Sequence, residues 1–521
     1  MRRCLPIAPF LLAAALSAQQ NDVPLQRDFC IDLERNAARL DARIHSGLKP
    51  VIESRADLDN VQGFRVDSAK YYYWQTEKLL RDRWLIARGD GYLLTADPIL
   101  TLEYGGDPGE STAYSDTNRL FFSTRGFVVR GDLGAKVSFQ TMFHENQGTV
   151  PLYLYRYAIE NGVLPGQGRV KFISGAKVDY GWSQGVLSYS PAAWINLQAG
   201  HGRHFVGHGC RSVLLSDNAM NAPFLKASLL SPDKRWQYTW WHTRLMHGVT
   251  QQDRLPAGAS AENLFFWMRG VFHHLSIDLG RVQLGLFDAS IIRSLADDGA
   301  LPFDAHAINP VIGLNALLLG FEGPTNNLVG ADLRIKATGS SYAYGQVATN
   351  GPGHVAWQLG ARAFDVLCKG LHLQTEYAAA APFMYMAKGR RQAYRHMGQP
   401  LAHPLGTAFG EAMAIVEYVR GRWTFRAQGS VADLLRDPSP ESNLGTDLGK
   451  PDIGGPTPEE GLSFRLASLD ISAQWLVNQN TNMRLIAGFR RRDLPRAPDG
   501  AQSGYWHVGL ATRLFNRYYD I

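Results

Sequence analysis

The chain has 521 residues, 45% of them hydrophobic, 11% aromatic and only 19% charged, with 52 glycines. That composition lacks the polar signature of disorder, and a formal net charge of +6 over so large a surface argues against a nucleic-acid partner. Length alone allows several soluble domains or one large all-β body.

Arg2 and Arg3, the apolar run Leu5 to Leu16 and the small pair Ser17-Ala18 have the layout of a secretory signal peptide, residues 1–18. Its removal takes the formal charge from +6 to +4. Cys4 comes too early for a lipid acceptor. The remaining Cys30, Cys210 and Cys368 are odd in number, scattered and without a CxxC pair, so they read as unrelated thiols.

Residues 27–47 place Ile31, Leu33, Ala37, Leu40 and Ile44 near helical spacing, with Gly47 as a stop. Residues 68–81 read as a second helix. Residues 19–82 are therefore expected to be a small helical N-terminal extension on the periplasmic side, and 83–521 the main body.

From Tyr92 onward the texture changes to runs of about ten residues that alternate in polarity and end at Gly, Pro, Asp or Asn. Examples are 118–131, 235–247, 281–293, 328–336, 354–368, 371–379, 412–420, 422–431, 463–477, 482–490 and 504–515. About 18 strands result. No later segment has the ~18–20 apolar residues of a spanning helix; the nearest, Ile308–Phe321, is interrupted by Asn309-Pro310 and Asn315. An exported chain of this kind is soluble or is a closed β-barrel. The runs match tilted spanning strands of about 9–11 residues better than soluble strands of about 5–6. Aromatics near their ends (Tyr104, Trp194, Trp357, Trp423, Trp506) suit interfacial girdles. Tight turns (419–422, 477–480) contrast with long connections (145–172, 200–222, 248–262, 294–310, 380–408, 433–461), as in outer-membrane barrels. No repeat has a fixed period.

The body centres on 200–226, a Gly- and His-rich connection between two strand-like runs. It supplies Arg203, His204, His208, Arg211, Asp217 and Asn218 as candidates for ligand binding or for an inward-folded lumen plug. His201, His204 and His208 could present imidazoles to a metal with Asp217, but no helix fixes their spacing, and the packed-loop reading is preferred. Ser212 and Ser216-Asp217 lack a Gly-x-Ser-x-Gly elbow. The paired carboxylates Asp297-Asp298 and Glu459-Glu460 do not sit in a calcium-loop pattern. No catalytic residue, metal or cofactor is assigned, and no enzymatic activity is expected. Aromatics in and beside long loops (Phe143, Tyr153, Tyr155, Tyr157, Phe383, Tyr385, Tyr394), with Arg390, Arg391 and Arg395, could stack on sugars and pair acidic groups, or could be girdle and surface.

The stretch 202–219, with Pro223-Phe224-Leu225-Lys226 after it, resembles the core motif of gliding-motility RemB-like proteins, a branch of the Wzi-type capsule-assembly outer-membrane proteins. Gly47-Leu48-Lys49-Pro50, Ile308-Asn309-Pro310, Gln399 to Gly406 and Leu514 to Ile521 are similar to the family as well. The resemblance implies an outer-membrane β-barrel of about 18 strands with a small helical N-terminal part, and neither branch implies an enzyme. It carries over no sugar-binding residue, and Tyr518-Tyr519-Asp520-Ile521 departs from a bare terminal Phe. The expectation is a non-enzymatic protein of the cell outer membrane that attaches or assembles surface (capsular) polysaccharide, or serves gliding-type surface machinery, through its outer loops. The alternative is a porin-like channel for small solutes or polymers. Expected partners are outer-membrane lipid, a surface polysaccharide, and cell-surface motility or secretion proteins, with no nucleic acid.

Overall fold

The computed structural model describes residues 20–56, 73–173, 175–250, 265–296, 299–300, 304–389, 392–450, 460–495 and 502–521. The expected signal peptide, Asp297-Asp298, Arg390, Arg391 and Glu459 lie outside the described residues.

Eighteen strands make one closed antiparallel ring. In chain order they are β1 (Tyr92–Gly106), β2 (Leu120–Leu133), β3 (Val137–Thr149), β4 (Lys177–Ala192), β5 (Ile195–Gly202) and β6 (Ala222–Leu230). Next come β7 (Trp236–Thr250), β8 (Phe265–Asp278), β9 (Val282–Arg293), β10 (Asn326–Thr338), β11 (Ser341–Gly351) and β12 (His354–Ala363). The ring is completed by β13 (Leu371–Ala380), β14 (Phe409–Arg420), β15 (Trp423–Arg436), β16 (Leu462–Asn478), β17 (Met483–Asp493) and β18 (Ser503–Thr512). Each pairs with the next, and β18 closes on β1 from Trp506↔Gly106 to Ala511↔Thr101. A full ring leaves no edge of unpaired backbone, which is the condition for crossing hydrocarbon with strands.

Side-chain alternation sets which face is which. On β11, Tyr342, Tyr344, Gln346 and Ala348 are buried toward the lumen while Val347 is 47% exposed on the outside. Leu102, Leu225, Leu359, Ile471 and Leu485 continue the apolar outer face. Connections alternate too. At one rim they are 134–136, 193–194, 231–235, 279–281, 339–340, 364–370, 421–422 and 479–482. At the other they are 107–119, 150–176, 203–221, 294–325, 381–408, 437–461 and 494–502, with the tight turn 352–353 among them. Outward aromatics ring both ends: Trp194, Trp236 and Trp423 at the short-turn rim, and Tyr104, Trp357, Tyr377 and Trp506 at the long-loop rim. This is the construction of an outer-membrane barrel, and the protein is one.

Two of the sequence runs reach three residues or more past the end of their strands. β12 stops at Ala363 rather than 368 because Asp365 and Leu367 take φ of 56° and 61°, a left-handed conformation that no strand holds. β18 stops at Thr512, whose side chain accepts the Leu100 amide at 3.3 Å, and the chain then turns inward.

The N-terminal helix α1 (Arg27–Ala38) is shorter than 27–47. Its start is capped by the Gln26 side chain, which accepts from Asp28 N at 2.6 Å. Beyond Ala38 the carbonyls are claimed by the barrel wall: Lys336 donates to Arg39 O and Ala42 O, and Arg334 to Ile44 O. Those buried cations need acceptors, so the backbone opens and the helical pattern of residues 39–47 is overridden. The second helix spans Trp74–Leu80.

Candidate functional site: the occupied lumen

Much of the interior of the ring is filled by four parts of the chain, with 150–170 packed against them. Residues 20–56 lie across the short-turn end. Gln198 donates to Asp22 at 2.9 Å, His45 meets Ser276 at 2.8 Å, Tyr342 donates to Glu34 at 3.1 Å and Arg426 donates to Asp28 at 2.9 Å, so the segment is tied to strands around the circumference. Above it runs 203–221, the connection from β5 to β6. The two segments pair as a short antiparallel ladder, Leu48↔Val206 and Lys49↔Phe205. Lys49 donates to Gly207 O at 2.8 Å and pairs with Glu34 at 2.7 Å. Burial alone would raise the Glu34 pKa, but the cations Lys49, Arg334 and Arg362 outweigh it and hold the carboxyl down at about 2.

From the long-loop rim, 381–408 descends onto the same segment. Tyr385 donates its hydroxyl to Val213 O at 2.6 Å and Tyr394 donates to Leu214 O at 2.9 Å. Val206, Val213, Leu214 and Leu215 pack with Phe272, Phe287, Leu328 and Leu401 in one apolar cluster, at about 1.5–3 kcal/mol per buried side chain. The fourth part is the tail 513–521, which enters from the end of β18. Phe515 stacks with His144 and Trp182 at centroid distances of 5.2 and 4.9 Å.

The six sequence candidates are all buried and point to different walls. Arg203 donates to Gly166 O at 3.2 Å and Asp217 O at 2.8 Å, with its guanidinium over Trp182 and Phe515. His204 lies between Phe224 and Trp241, at 4.7 and 5.0 Å, and burial drives its pKa well below the usual value, so it is neutral. His208 faces Asp332 at 3.4 Å, and Asp332 accepts from His274 on its other oxygen at 2.9 Å. Arg211, 1% exposed, is held between Glu411 at 2.9 Å and Asp520 at 2.6 Å. Asp217 accepts from Tyr518 and, at 3.0 Å, from Asn516. Asn218 reaches Pro400 O at 3.5 Å.

Arg203 and Asp217 are brought together, and Arg211 and Asp217 both meet the tail, but the set does not converge on one point. The three histidines part company in the same way, since His201 turns to Ser183 O. Among the described residues no group of three His, Cys, Asp or Glu side chains is arranged to hold a metal ion. Ser212 Oγ is committed to Val206 O at 2.6 Å and to the amides of Leu214 and Leu215. The three cysteines are free.

The structure separates the two readings of the loop aromatics. Tyr385 and Tyr394 are 0% and 1% exposed, so they are structural ties inside the barrel, not stacking platforms at its mouth. Phe143 belongs to the outer wall, 42% exposed. Sequence reasoning also missed the partners. Glu376 on β13 takes the amides of Cys210 and Arg211, the Tyr344 hydroxyl and the side-chain amides of Gln358 and Gln374. Asp332, Glu411 and Asp520 were equally unflagged. The available signal was a charge at every second position of a strand, as in Asp332, Arg334 and Lys336, on the face that alternation assigns to the lumen. Beside the tail a cavity of about 190 Å³ remains, with Arg27, Arg362, Arg490 and Arg513 facing Glu103 and Asp470.

No protein-family model and no curated protein matches the sequence. Among solved structures, the chain is similar to Wzi of Escherichia coli, described as an outer-membrane protein involved in group 1 capsule assembly and a carbohydrate-binding β-barrel. The TM-score is 0.55 at 12% identity, over 94% of this chain and 99% of that one. Matches of lower score include OccK7 (OpdD) of Pseudomonas aeruginosa, with a TM-score of 0.41, 10% identity and coverage of 80% and 98%. OccAB3 of Acinetobacter baumannii has a TM-score of 0.42, 9% identity and the same coverages.

Proposed function

We propose that this outer-membrane barrel holds or helps to assemble a surface polysaccharide at the cell exterior, without catalysing a reaction and without conducting it through the lumen. The observation that carries the reading is the filling of the lumen by chain segments tied to one another by buried hydrogen bonds and by the Arg211–Asp520 ion pair. A transport pore needs a water-filled lumen; here many of the wall's inward polar groups bond to protein segments inside it. The similarity in fold to a carbohydrate-binding barrel supports the same reading.

Contact with the polymer then falls to the long-loop rim. One surface of suitable chemistry stands there: Phe172, 45% exposed, meets Tyr155 edge-on at 5.6 Å and is followed by exposed Ile173, with Arg169 and Lys171 beside it in sequence. An aromatic face and nearby cations suit a sugar ring and an acidic substituent. Deleting the gene is expected to strip polysaccharide from cells, with complementation by the intact chain restoring it. In planar bilayers the protein should carry no steady current. A large, persistent open-channel conductance would overturn the reading in favour of a porin-like channel, and a deletion strain that keeps its polysaccharide but stops moving over surfaces would assign the barrel to motility machinery instead.

A further inference from the structure

The strands β7 to β10 break the alternation that governs the rest of the wall. From Asp288 to Ile292 on β9, five consecutive residues are buried, although every second one points out of the barrel. Register shows which: Phe287, Ala289 and Ile291 join the lumen cluster, so Asp288, Ser290 and Ile292 face outward. His273 is paired with Asp288 and with Trp240, and Asn327 with Ser290, so these too are outward. A seam of polar side chains therefore lies on the face that elsewhere is Leu, Val and Ile.

The connection from β9 to β10 covers that seam. Tyr238 donates to Pro310 O at 2.5 Å, His242 to Ala307 O at 2.9 Å and His273 Nε2 to Asn309 O at 3.0 Å. Asp288 accepts from His273 and, at 2.7 Å, from Gly313 N. Ser290 accepts from Asn315 at 3.2 Å, and Asn327 donates to Gly320 O at 2.6 Å. Val271, Ile292 and Ala307 form a small apolar cluster beneath it. Tyr238 is two residues from Trp236, at the short-turn girdle, so the segment leaves the long-loop rim, reaches the opposite interface near Pro310 and returns. The distance from Tyr238 to Thr250 is roughly 40 Å of tilted strand at about 3.3 Å per residue, comparable with the full hydrocarbon thickness.

The sequence of this segment fits that depth. Residues 305–321 contain no Asp, Glu, Lys or Arg, and Asp304 and Glu322 bracket them; Glu322 pairs with Lys388 at the exposed rim. The side chains turned away from the wall are apolar: Ile308 is 59% exposed, Val311 51%, Leu317 81% and Leu318 61%.

We propose that residues 304–321 form a re-entrant strap lying within the membrane against the outside of the barrel, with lipid acyl chains against its apolar face. Irregular backbone is tolerated at membrane depth only where its polar groups are met by protein, and the seam meets them. The apolar face is continuous with the lipid-facing wall at Leu286, Ile335 and Val347, which is why lipid, and not a second copy of the chain, is the occupant.

The test uses nitroxide labels on the full chain in lipid vesicles, with the free Cys30, Cys210 and Cys368 replaced by serine. Labels at Leu317→Cys and Val311→Cys should show high oxygen and low nickel-complex accessibility, matching a wall position, Leu359→Cys, and unlike Glu322→Cys. Nickel accessibility equal to that of Glu322→Cys would overturn the strap. Spin–spin broadening or disulfide-linked dimers at Leu317→Cys would overturn lipid as the occupant and put a second copy there. Adding Asp288→Ala should raise nickel accessibility at 317 at least severalfold while the barrel stays resistant to cold detergent; an unchanged value would show that the seam does not hold the strap.

Discussion

Arg211→Ala isolates one link between the interior segments. The guanidinium is 1% exposed and lies between two carboxylates contributed by distant parts of the chain, Glu411 on β14 and Asp520 in the tail. Its removal leaves two buried negative groups without their shared cation. Breaking a buried pair costs about 3–5 kcal/mol. Here the lower end applies, since Glu411 retains His403 at 3.1 Å and Asp520 retains Gln428 at 2.8 Å. At about 1.4 kcal/mol per tenfold, about 3 kcal/mol is a rise of roughly two orders of magnitude in the opening of the tail and of 206–217. Amide exchange of those two segments in vesicles, followed by mass spectrometry, measures it. Arg211→Ala/Asp520→Asn should recover part of the loss because one stranded charge is gone. Arg491→Ala, which removes an exposed pair with Asp493, should move exchange by less than about 1 kcal/mol. If Arg211→Ala shifts protection by under about 1 kcal/mol, as the surface control does, the claim that the ion pair fastens the tail is refuted.

Three further outcomes follow from the interior packing. Gly207 has φ of 127° and a Cβ there would fall against the Gln346 side-chain amide, so Gly207→Ala should weaken the inner segment by about 1–3 kcal/mol, read as lost protection of 205–215 with the barrel band in gels unchanged. Trp182→Ala removes one of the three mutually stacked rings His144, Trp182 and Phe515 and one of the two rings beneath Arg203; it should cost about 3–5 kcal/mol in a urea titration of the refolded barrel. Glu34 has a folded pKa of about 2 against about 4.3 unfolded. Its stabilising contribution is present above the unfolded value and disappears as pH falls from about 4.5 through about 2. Glu34→Gln should be less stable at pH 7 and should lack that acid-dependent part of the melting profile; equal pH profiles for the two proteins would contradict the assignment.

Much of the barrel was legible because a spanning strand writes its own rule, alternation at ten residues or more, and because turns and long loops differ in composition. The 18 strands and the segregation of connections by rim followed from that. The candidate segment was legible as glycine, histidine and arginine concentrated between two strands. Its partners were not, since Glu376, Glu411, Asp332 and Asp520 are separated from it by long stretches of chain and nothing local marks them. The helix reading of 39–47 failed because Arg334 and Lys336, some 290 residues away, decide the fate of its carbonyls. Polarity alone does not assign a face to His273, Asp288 and Ser290 on β8 and β9; the strand register does.

The pairing of β18 with β1 has a consequence in time as well as space. Residues 20–56 precede β1 in the chain, yet they end up encircled by strands that are synthesised after them. The seam between β18 and β1 is the pairing with the greatest separation along the chain, so its loop-closure entropy makes it a late step. An interior this densely bonded cannot be inserted through a finished ring without breaking its ties to many strands at once. The order of events is therefore constrained: the N-terminal segment must be seated while the sheet is still an open arc, and the wall must curl around it. Assembly of this barrel is therefore expected to be a wrapping process, with the wall closing around contents already in place.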